Sequence, residues 1–336
     1  MKIALLSPVA WRTPPLQYGP WEQVVSYLAE GLVAKGIDVT LFATANSQTH
    51  GKLDYCIDQP YAENNLANAK VNECLHISYL MEKASAFDLI HNHFDFLPLT
   101  YSRLVQTPVL TTIHGFSSPS IVPVYKKYDD HCYYVAISDA DRHPELNYLA
   151  TVYNGIDTTA FGFQPTPEDY LLFFGRIHPE KGVLEAIEAA RHCGRRIIIA
   201  GLIQDKEYFE YKVEPLLNNE DVTYVGNCGP TQRNELLGNA AALLHLINFD
   251  EPFGLSVVEA MCCGTPVIAF NRGAMPELIV HEKTGFLVHS IQEAAAAVNK
   301  LSLIDRNFCR KWVCASFSAE KMTEDYLKIY SRIVGD

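Results

Sequence analysis

Short runs of apolar residues alternate along the chain with longer stretches whose apolar positions recur every three or four residues. KIALLS (2–7) leads to WEQVVSYLAEGLVAKG (21–36) and then to IDVTLFAT (37–44). Strand, helix and strand within about 40 residues predict a βαβ unit. The rhythm continues through FDLIHNH (87–93), PVLTTIH (108–114), YYVAIS (133–138) and ATVYNG (150–155), with helical patterns between several of them. Each strand-type run ends in a polar or glycine-bearing turn, which predicts a mostly parallel sheet covered on both faces, a doubly wound α/β domain.

DTTAFGFQPTPED (157–169) interrupts this rhythm with two prolines, two adjacent threonines and no apolar period, and reads as a linker. Beyond it the pattern restarts with YLLFFG (170–175), a helix over 180–192, RRIIIAG (195–201), a helix over 205–218 and VTYVG (222–226). A helix over 230–240, AALLHLI (241–247), a helix over 254–263, TPVIAF (265–270) and GFLV (285–288) follow, and only helical patterns at 290–302, 305–314 and 317–333 remain. The second half therefore repeats the architecture of the first. The expected organisation is an N-terminal domain over 1–157, a C-terminal domain over 158–316, and a last helix within 317–336. That helix, with Phe317, Met322, Tyr326 and Ile329, needs a groove and is expected to cross back to the first domain. Two doubly wound domains facing across a cleft would place the carboxyl ends of their strands around one crevice, where such sheets bind ligands.

Composition narrows the possibilities. Of 336 residues, 48% are hydrophobic and 20% charged, and no apolar run is long enough to span a membrane. Met1 and Lys2 run straight into the first strand, so no secretory signal is expected, and the nine cysteines lie without a C-x-x-C pair, as reduced thiols of a cytoplasmic protein would. The formal charge of −12 is spread evenly: residues 1–157 hold 10 basic against 16 acidic side chains and residues 158–336 hold 17 against 23. Even acidity opposes a broad nucleic-acid or anionic-membrane surface and leaves room for a local basic pocket. Without a basic amphipathic helix in the first domain, membrane association is at most peripheral.

The candidates for chemistry stand just after strands. In FFGRIHPEKG (173–182) a strand ends at Gly175, Arg176 follows at once, and Lys181 stands where the next helix opens. Two cations beside glycines suit a diphosphate; equally, Arg176 could pair with Glu180 and Lys181 stand in solvent. The spacing is not that of a Walker loop, and no G-x-G-x-x-G follows a strand, which weighs against P-loop nucleotidases and nicotinamide dehydrogenases. In EPFGLSVVEAMCCGTP (251–266), Glu259 sits inside an otherwise apolar helix, where an unsatisfied carboxylate costs several kcal/mol (order of magnitude). A turn precedes that helix, its first N–H groups form an anion site, and Glu251 stands before it. Two glutamates bracketing a phosphate-type helix start suit hydroxyls at either end of a diphosphate. An isolated buried glutamate would more often bond backbone or an arginine.

EPFGLSVVE (251–259) resembles the E-x7-E motif of glycosyltransferase family 4, retaining nucleotide-sugar transferases of the two-Rossmann-domain GT-B fold. GRIHPEKG, VYNGID (152–157), GTPVIA (264–269), GAMPE (273–277) and TGFLV (284–288) agree with it, densely from about 150 to 290. The resemblance implies that Arg176 and Lys181 hold the donor diphosphate in place of a metal ion, that Glu251 contacts hydroxyls of the transferred sugar, and that Glu259 binds the ribose. Backbone amides of Phe253, Gly254, Leu255 and Ser256 would meet sugar hydroxyls and phosphates. His114 would lie near the reacting centre.

In SPVAWRTPPLQYGPWEQ (7–23), related enzymes have two glycines; here Gly19 remains and Pro20 takes the second place, removing one N–H that could meet phosphate while suiting a helix start. Trp11, Tyr18 and Trp21 offer stacking faces to an acceptor or to packing. His91 and His93 share one strand face with Asp95 nearby; no third metal ligand is evident, so packing or an acceptor contact by His93 is favoured over a metal. LHLINFD (244–250) also departs from the family, which commonly has proline-serine there.

The implied activity is transfer of a hexosyl group, with retention and without a metal or other cofactor, from a nucleoside diphosphate sugar to a hydroxyl acceptor. The donor, by family frequency a UDP-sugar, is otherwise open between UDP-glucose, UDP-N-acetylglucosamine and GDP-mannose. The acceptor is a saccharide, a lipid-linked sugar or a small metabolite. A nucleotide-sugar epimerase, a glycoside phosphorylase, or a non-catalytic nucleotide-sugar binder on the same plan are the alternatives.

Overall fold

Two all-parallel sheets, one in each half of the chain, carry the fold of the computed structural model, which describes residues 1–64, 66–115, 119–218 and 220–335. The chain divides into unit 1, Met1–Gly155 with Ala319–Asp336, and unit 2, Ile156–Ser318.

Unit 1 contains β1 (Lys2–Leu6), α1 (Pro20–Ala34), β2 (Asp38–Thr44), β3 (Lys52–Ile57), α2 (Ala69–Met81), β4 (Leu89–Asn92), β5 (Val109–Ile113), α3 (Val122–Tyr128), β6 (Tyr133–Ala136) and β7 (Tyr148–Thr151). Its strand order is β3-β2-β1-β4-β5-β6-β7, so the order reverses between β1 and β4, in the register Leu5 opposite His91 and Leu6 opposite Asn92. Ile3 to Leu6 and Val109 to Ile113 are buried, as strands covered on both faces must be. α1 starts at Pro20, whose missing N–H costs nothing in a first turn. β3 was absent from the sequence expectation because KLDYCI is an edge strand whose exposed and half-buried residues show no apolar run.

Unit 2 contains β8 (Leu171–Phe174), α4 (Val183–His192), β9 (Ile197–Ala200), α5 (Lys206–Tyr208), β10 (Val222–Tyr224), α6 (Pro230–Asn239), β11 (Ala242–His245), α7 (Leu255–Cys262), β12 (Val267–Phe270), α8 (Met275–Leu278), β13 (Gly285–Val288), α9 (Ile291–Val298) and α10 (Arg306–Ser316). The order β10-β9-β8-β11-β12-β13 reverses between β8 and β11. Both sheets are thus the doubly wound type expected from the rhythm of the chain.

Three expectations need correction. The segment 157–169 is no free linker: Phe161 is buried, Gln164 N–H donates to Cys263 O (3.0 Å), and the Arg306 and Arg310 guanidiniums donate to the carbonyls of Gln164 and Phe161. The helix expected over 205–218 is one turn of α5 followed by a π-turn and a 3-10 turn (Glu214–Leu216), because Pro215 cannot donate to a continuing helix. Phe317 lies not on the last helix but at the end of α10, edge-on to Phe253 and Trp312. The last helix, α11 (Ala319–Val334), turns Met322, Tyr326, Ile329 and Tyr330 into unit 1, while Lys35 of α1 reaches Glu324 at 3.1 Å. Among the described residues no helix is long and apolar enough to cross a membrane.

Candidate active site

In unit 2 the reversal of strand order puts the segments following β8 and β11 side by side, the position at which open α/β sheets take ligands. After β8, Arg176 is held by its Nη1 donating to Gln204 Oε1, not by Glu180. A 3-10 turn, Pro179–Lys181, then delays α4 until Val183, because Gly182 adopts a left-handed conformation (φ 74°) against the Leu246 carbonyl, where a Cβ would lie at 1.8 Å. That close approach brings Lys181 to the segment after β11. Its Nζ lies 2.5 Å from Glu251 Oε2 and 4.6 Å from the centroid of Phe249, in a pair only 14% and 13% exposed.

Glu251 is fixed from the other side by Gly273 (φ 53°), whose missing Cβ would stand 2.5 Å from the Glu251 nitrogen, and by Ala274 N–H donating to Glu251 O (2.9 Å). His245 Nε2 lies 3.9 Å from Glu251 Oε2, beyond hydrogen-bond reach; it is buried without a hydrogen-bond partner among the described residues, and burial lowers its pKa to about 4. The cation beside Glu251 is therefore Lys181 and not His245.

α7 follows the left-handed Gly254 (φ 106°). Phe253 is buried, so its side chain belongs to packing and only its backbone is placed for a ligand; Leu255 and Ser256 are half-buried. Glu259 projects from α7 into surroundings that leave it 5% exposed, and Arg233 Nη1 of α6 meets its Oε1 at 3.1 Å. Burial raises the Glu259 pKa and Arg233 pulls it back. The Arg233 guanidinium also stands 5.4 Å from the Phe161 ring. The acid in the apolar helix is thus answered by an arginine, a partner that nothing in PTQRNELL (230–237) singles out. Each acid of the pair Glu251 and Glu259 has its own cation, and each cation keeps further donors for an anionic or hydroxylated ligand.

In unit 1 the groups after β1, β4 and β5 gather. Gly19 precedes α1 (φ 150°) and accepts from Gln23 N–H at 2.9 Å. Trp11 meets Tyr18 edge-on at 6.1 Å, while Trp21 stacks on the His114 ring at 5.2 Å and 22°. His93 Nδ1 lies 3.0 Å from His114 Nε2, and burial lowers the His114 pKa to about 3. Glu22, buried beside this loop, accepts from Trp11 N–H (3.1 Å), and burial lifts its pKa to about 7. His91 turns to Tyr330 and Thr112, not to a metal; among the described residues no group of three or more His, Cys, Asp or Glu side chains is placed to hold one. Asp95 instead accepts from Tyr125 Oη at 2.7 Å.

A cavity of about 560 Å³ in unit 2 is lined by Pro165, Asp169, Arg195, Ala241, Pro266 and Arg306, at the amino end of the strands. It shares no residue with the cluster above, and its Arg195 and Asp169 are paired with each other.

Residues 159–316 match the family model of glycosyl transferases group 1, and residues 21–160 match that of glycosyltransferase family 4. The D-inositol 3-phosphate glycosyltransferase of Mycobacterium marinum is 33% identical over 199 residues, covering 53% of this chain but only 41% of that protein, so the chain spans less than half of its length. The glycogen synthase of Mycobacterium tuberculosis is 25% identical over 354 residues, 88% of this chain and 85% of that protein. Among solved structures, Anabaena HepE in complex with UDP-glucose superposes with a TM-score of 0.76 at 19% identity, covering 99% of this chain and 100% of that one. Sucrose-phosphate synthase from Thermosynechococcus elongatus gives 0.80 at 19% identity over 100% and 99%. At these identities the structures establish a common fold.

Proposed function

Because the chain belongs to the GT-B glycosyltransferase superfamily, we propose that it transfers a hexosyl group from a nucleoside diphosphate sugar to a hydroxyl acceptor, with retention and without a bound metal. The observation that carries this reading is the pairing of Lys181 with Glu251 and of Arg233 with Glu259 beyond the carboxyl ends of β8 and β11. Lys181 and Arg176 neutralise the diphosphate as negative charge grows on it, the work a metal ion does elsewhere. Glu251 accepts from hydroxyls of the transferred sugar and Glu259 from the ribose. Main-chain N–H groups from Phe253 to Ser256 meet the phosphates and sugar. A UDP-sugar is the favoured donor, in keeping with the UDP-glucose bound to the similarly folded HepE.

The chemistry asks little covalent work of the protein. The bond from the anomeric carbon to the diphosphate oxygen breaks, the acceptor oxygen bonds that carbon on the same face, and its proton passes to a diphosphate oxygen. Positioning and charge stabilisation are the contributions of the chain. His114 offers a hydrogen bond to a substrate hydroxyl. The acceptor is a saccharide, a lipid-linked sugar or a small metabolite, met in the cytoplasm or at most at a membrane surface.

Incubation with UDP-, GDP- and ADP-sugars, with and without saccharide acceptors, tests this when followed by proton NMR of the anomeric signals. Product with the anomeric configuration of the donor supports it. Inverted product refutes retention, and turnover abolished by a chelator refutes metal independence. Donor epimerised without acceptor, or turnover that requires inorganic phosphate, replaces transfer by an epimerase or a phosphorylase. Binding with neither transfer nor slow hydrolysis makes the protein a non-catalytic binder.

A further inference from the structure

His245, the last residue of β11, stands in the donor site of unit 2 without a task in the chemistry proposed above. Its side chain is 8% exposed, and its Nε2 has no hydrogen-bond partner among the described residues. Buried polar atoms of folded proteins are ordinarily satisfied, so an orphan beside a ligand site calls for a reason. The carboxylate it faces is Glu251, whose Oε2 lies 3.9 Å away and is held instead by Lys181 Nζ at 2.5 Å. The backbone around this group is pinned. Gly182 packs against the Leu246 carbonyl, Asn248 N–H donates to Glu180 O (2.8 Å), and Ala274 N–H donates to Glu251 O (2.9 Å).

Burial lowers the His245 pKa to about 4, so the ring is neutral, with one N–H and one bare nitrogen. A proton on Nε2 faces a carboxylate oxygen, whereas a proton on Nδ1 leaves a lone pair facing that oxygen, which Coulomb repulsion opposes. An Nε2–H needs a shift of only about 1 Å, within reach of side-chain rotation, to donate to Glu251. Lys181 keeps Glu251 satisfied while no anion is near. An ammonium has one charge to share, however, and a diphosphate that draws it weakens its hold on a carboxylate only 13% exposed. A buried acid that loses its cation is strongly destabilised unless another donor takes over. The polar neighbours along the chain are engaged elsewhere: Asn248 Nδ2 donates to Glu185 Oε1 (2.6 Å), and Arg272 Nε lies 3.4 Å from Asp250. His245 is the donor left over.

We infer that His245 is a positioning residue: its Nε2–H is a second donor that takes hold of Glu251 when an anion draws Lys181 away, and so keeps that carboxylate in place for the hydroxyls of the transferred sugar. It acts through Glu251 and needs no contact with substrate. The inference rests on the reading of Lys181 as a diphosphate contact, but the exchange belongs to three side chains of unit 2 and is provoked without a ligand by removing the lysine charge.

A double-substitution cycle in the ligand-free full chain tests it, with Lys181→Met standing for the lysine drawn away. In the native background His245→Leu removes a nitrogen that has no partner, so the unfolding constant of unit 2, followed by Trp312 fluorescence, should be unchanged or lower. In the Lys181→Met background the same substitution removes the donor that has taken hold of Glu251, and the unfolding constant should rise about 10- to 100-fold. A histidine that serves packing alone shifts both backgrounds equally, and that result overturns the inference. Should Lys181→Met not fold, nitrogen-15 NMR of the native full chain decides: His245 protonated at Nε2 supports the exchange, and a proton on Nδ1 alone leaves no donor facing Glu251 and overturns it. Coupling between the two substitutions in a protein without sugar-transfer activity would leave the exchange standing and refute the proposed function.

Discussion

Glu22 offers a test of how the amino-terminal loop is held. It is 3% exposed, and its carboxylate accepts from Trp11 N–H, a bond that ties the loop to the first turn of α1. Burial raises its pKa from 4.5 to about 7 against the opposing pull of the backbone bonds. In the window between those two values the folded protein holds a proton that the unfolded chain has released. Stability therefore falls as pH rises from about 4.5 to about 7 and levels off above it. At about 1.4 kcal/mol per pH unit the loss amounts to about 3 kcal/mol. Glu22→Gln keeps an acceptor for Trp11 and removes the titration. The variant should gain about 3 kcal/mol over the native chain on going from pH 4 to pH 8, whatever constant offset the amide brings. Because the two units need not unfold together, denaturation is best followed in a Trp312→Phe background, in which only Trp11 and Trp21 of unit 1 report. A difference between variant and native that does not change with pH refutes the buried-acid account of this loop.

Arg233→Met should cost about 3–5 kcal/mol in unit 2, the price of leaving Glu259 buried without its cation; denaturation followed by Trp312 fluorescence reads it, and the double variant with Glu259→Gln should recover most of the loss. Lys181→Ala should lower kcat by about 10²–10³. Near-native turnover in both Lys181→Ala and Arg176→Ala removes the diphosphate assignment. Gly273→Ala forces a Cβ into the Glu251 backbone in a left-handed conformation, so transfer kcat/KM should drop while the unfolding of unit 1 is unchanged; an unaltered rate shows that the backbone position of Glu251 does not matter.

The doubly wound sheets are legible in the chain because strands covered on both faces leave uninterrupted apolar runs, as IALL and IIIA do. Edge strand β3 is not, since every side chain but that of Ile57 is exposed or half-buried. Glu259 announces itself as an acid among apolar residues, and Glu251 by its place before a helix. Their cations differ in visibility. Lys181 stands in a glycine-bearing turn after a strand, whereas Arg233 sits on a polar helix among other polar residues, and only the tertiary approach of α6 to α7 brings it to Glu259. The 157–169 segment misleads because its prolines and threonines resemble those of a tether, while Phe161 and the backbone carbonyls that hold it in place are fixed by arginines more than 140 positions away. Tyr326 and Tyr330 read as the apolar stripe of an amphipathic helix; that their hydroxyls end at Thr112 and His91 depends on where α11 packs.

Calorimetric titration of UDP-glucose into the native protein and into Glu259→Gln addresses the donor site most directly. The account predicts saturable binding to the native protein and an affinity about 10- to 100-fold weaker in the variant, as loss of a charge-assisted hydrogen bond to the ribose requires. Failure of UDP-, GDP- and ADP-sugars alike to bind the native protein, or equal affinity for native and variant, would contradict it.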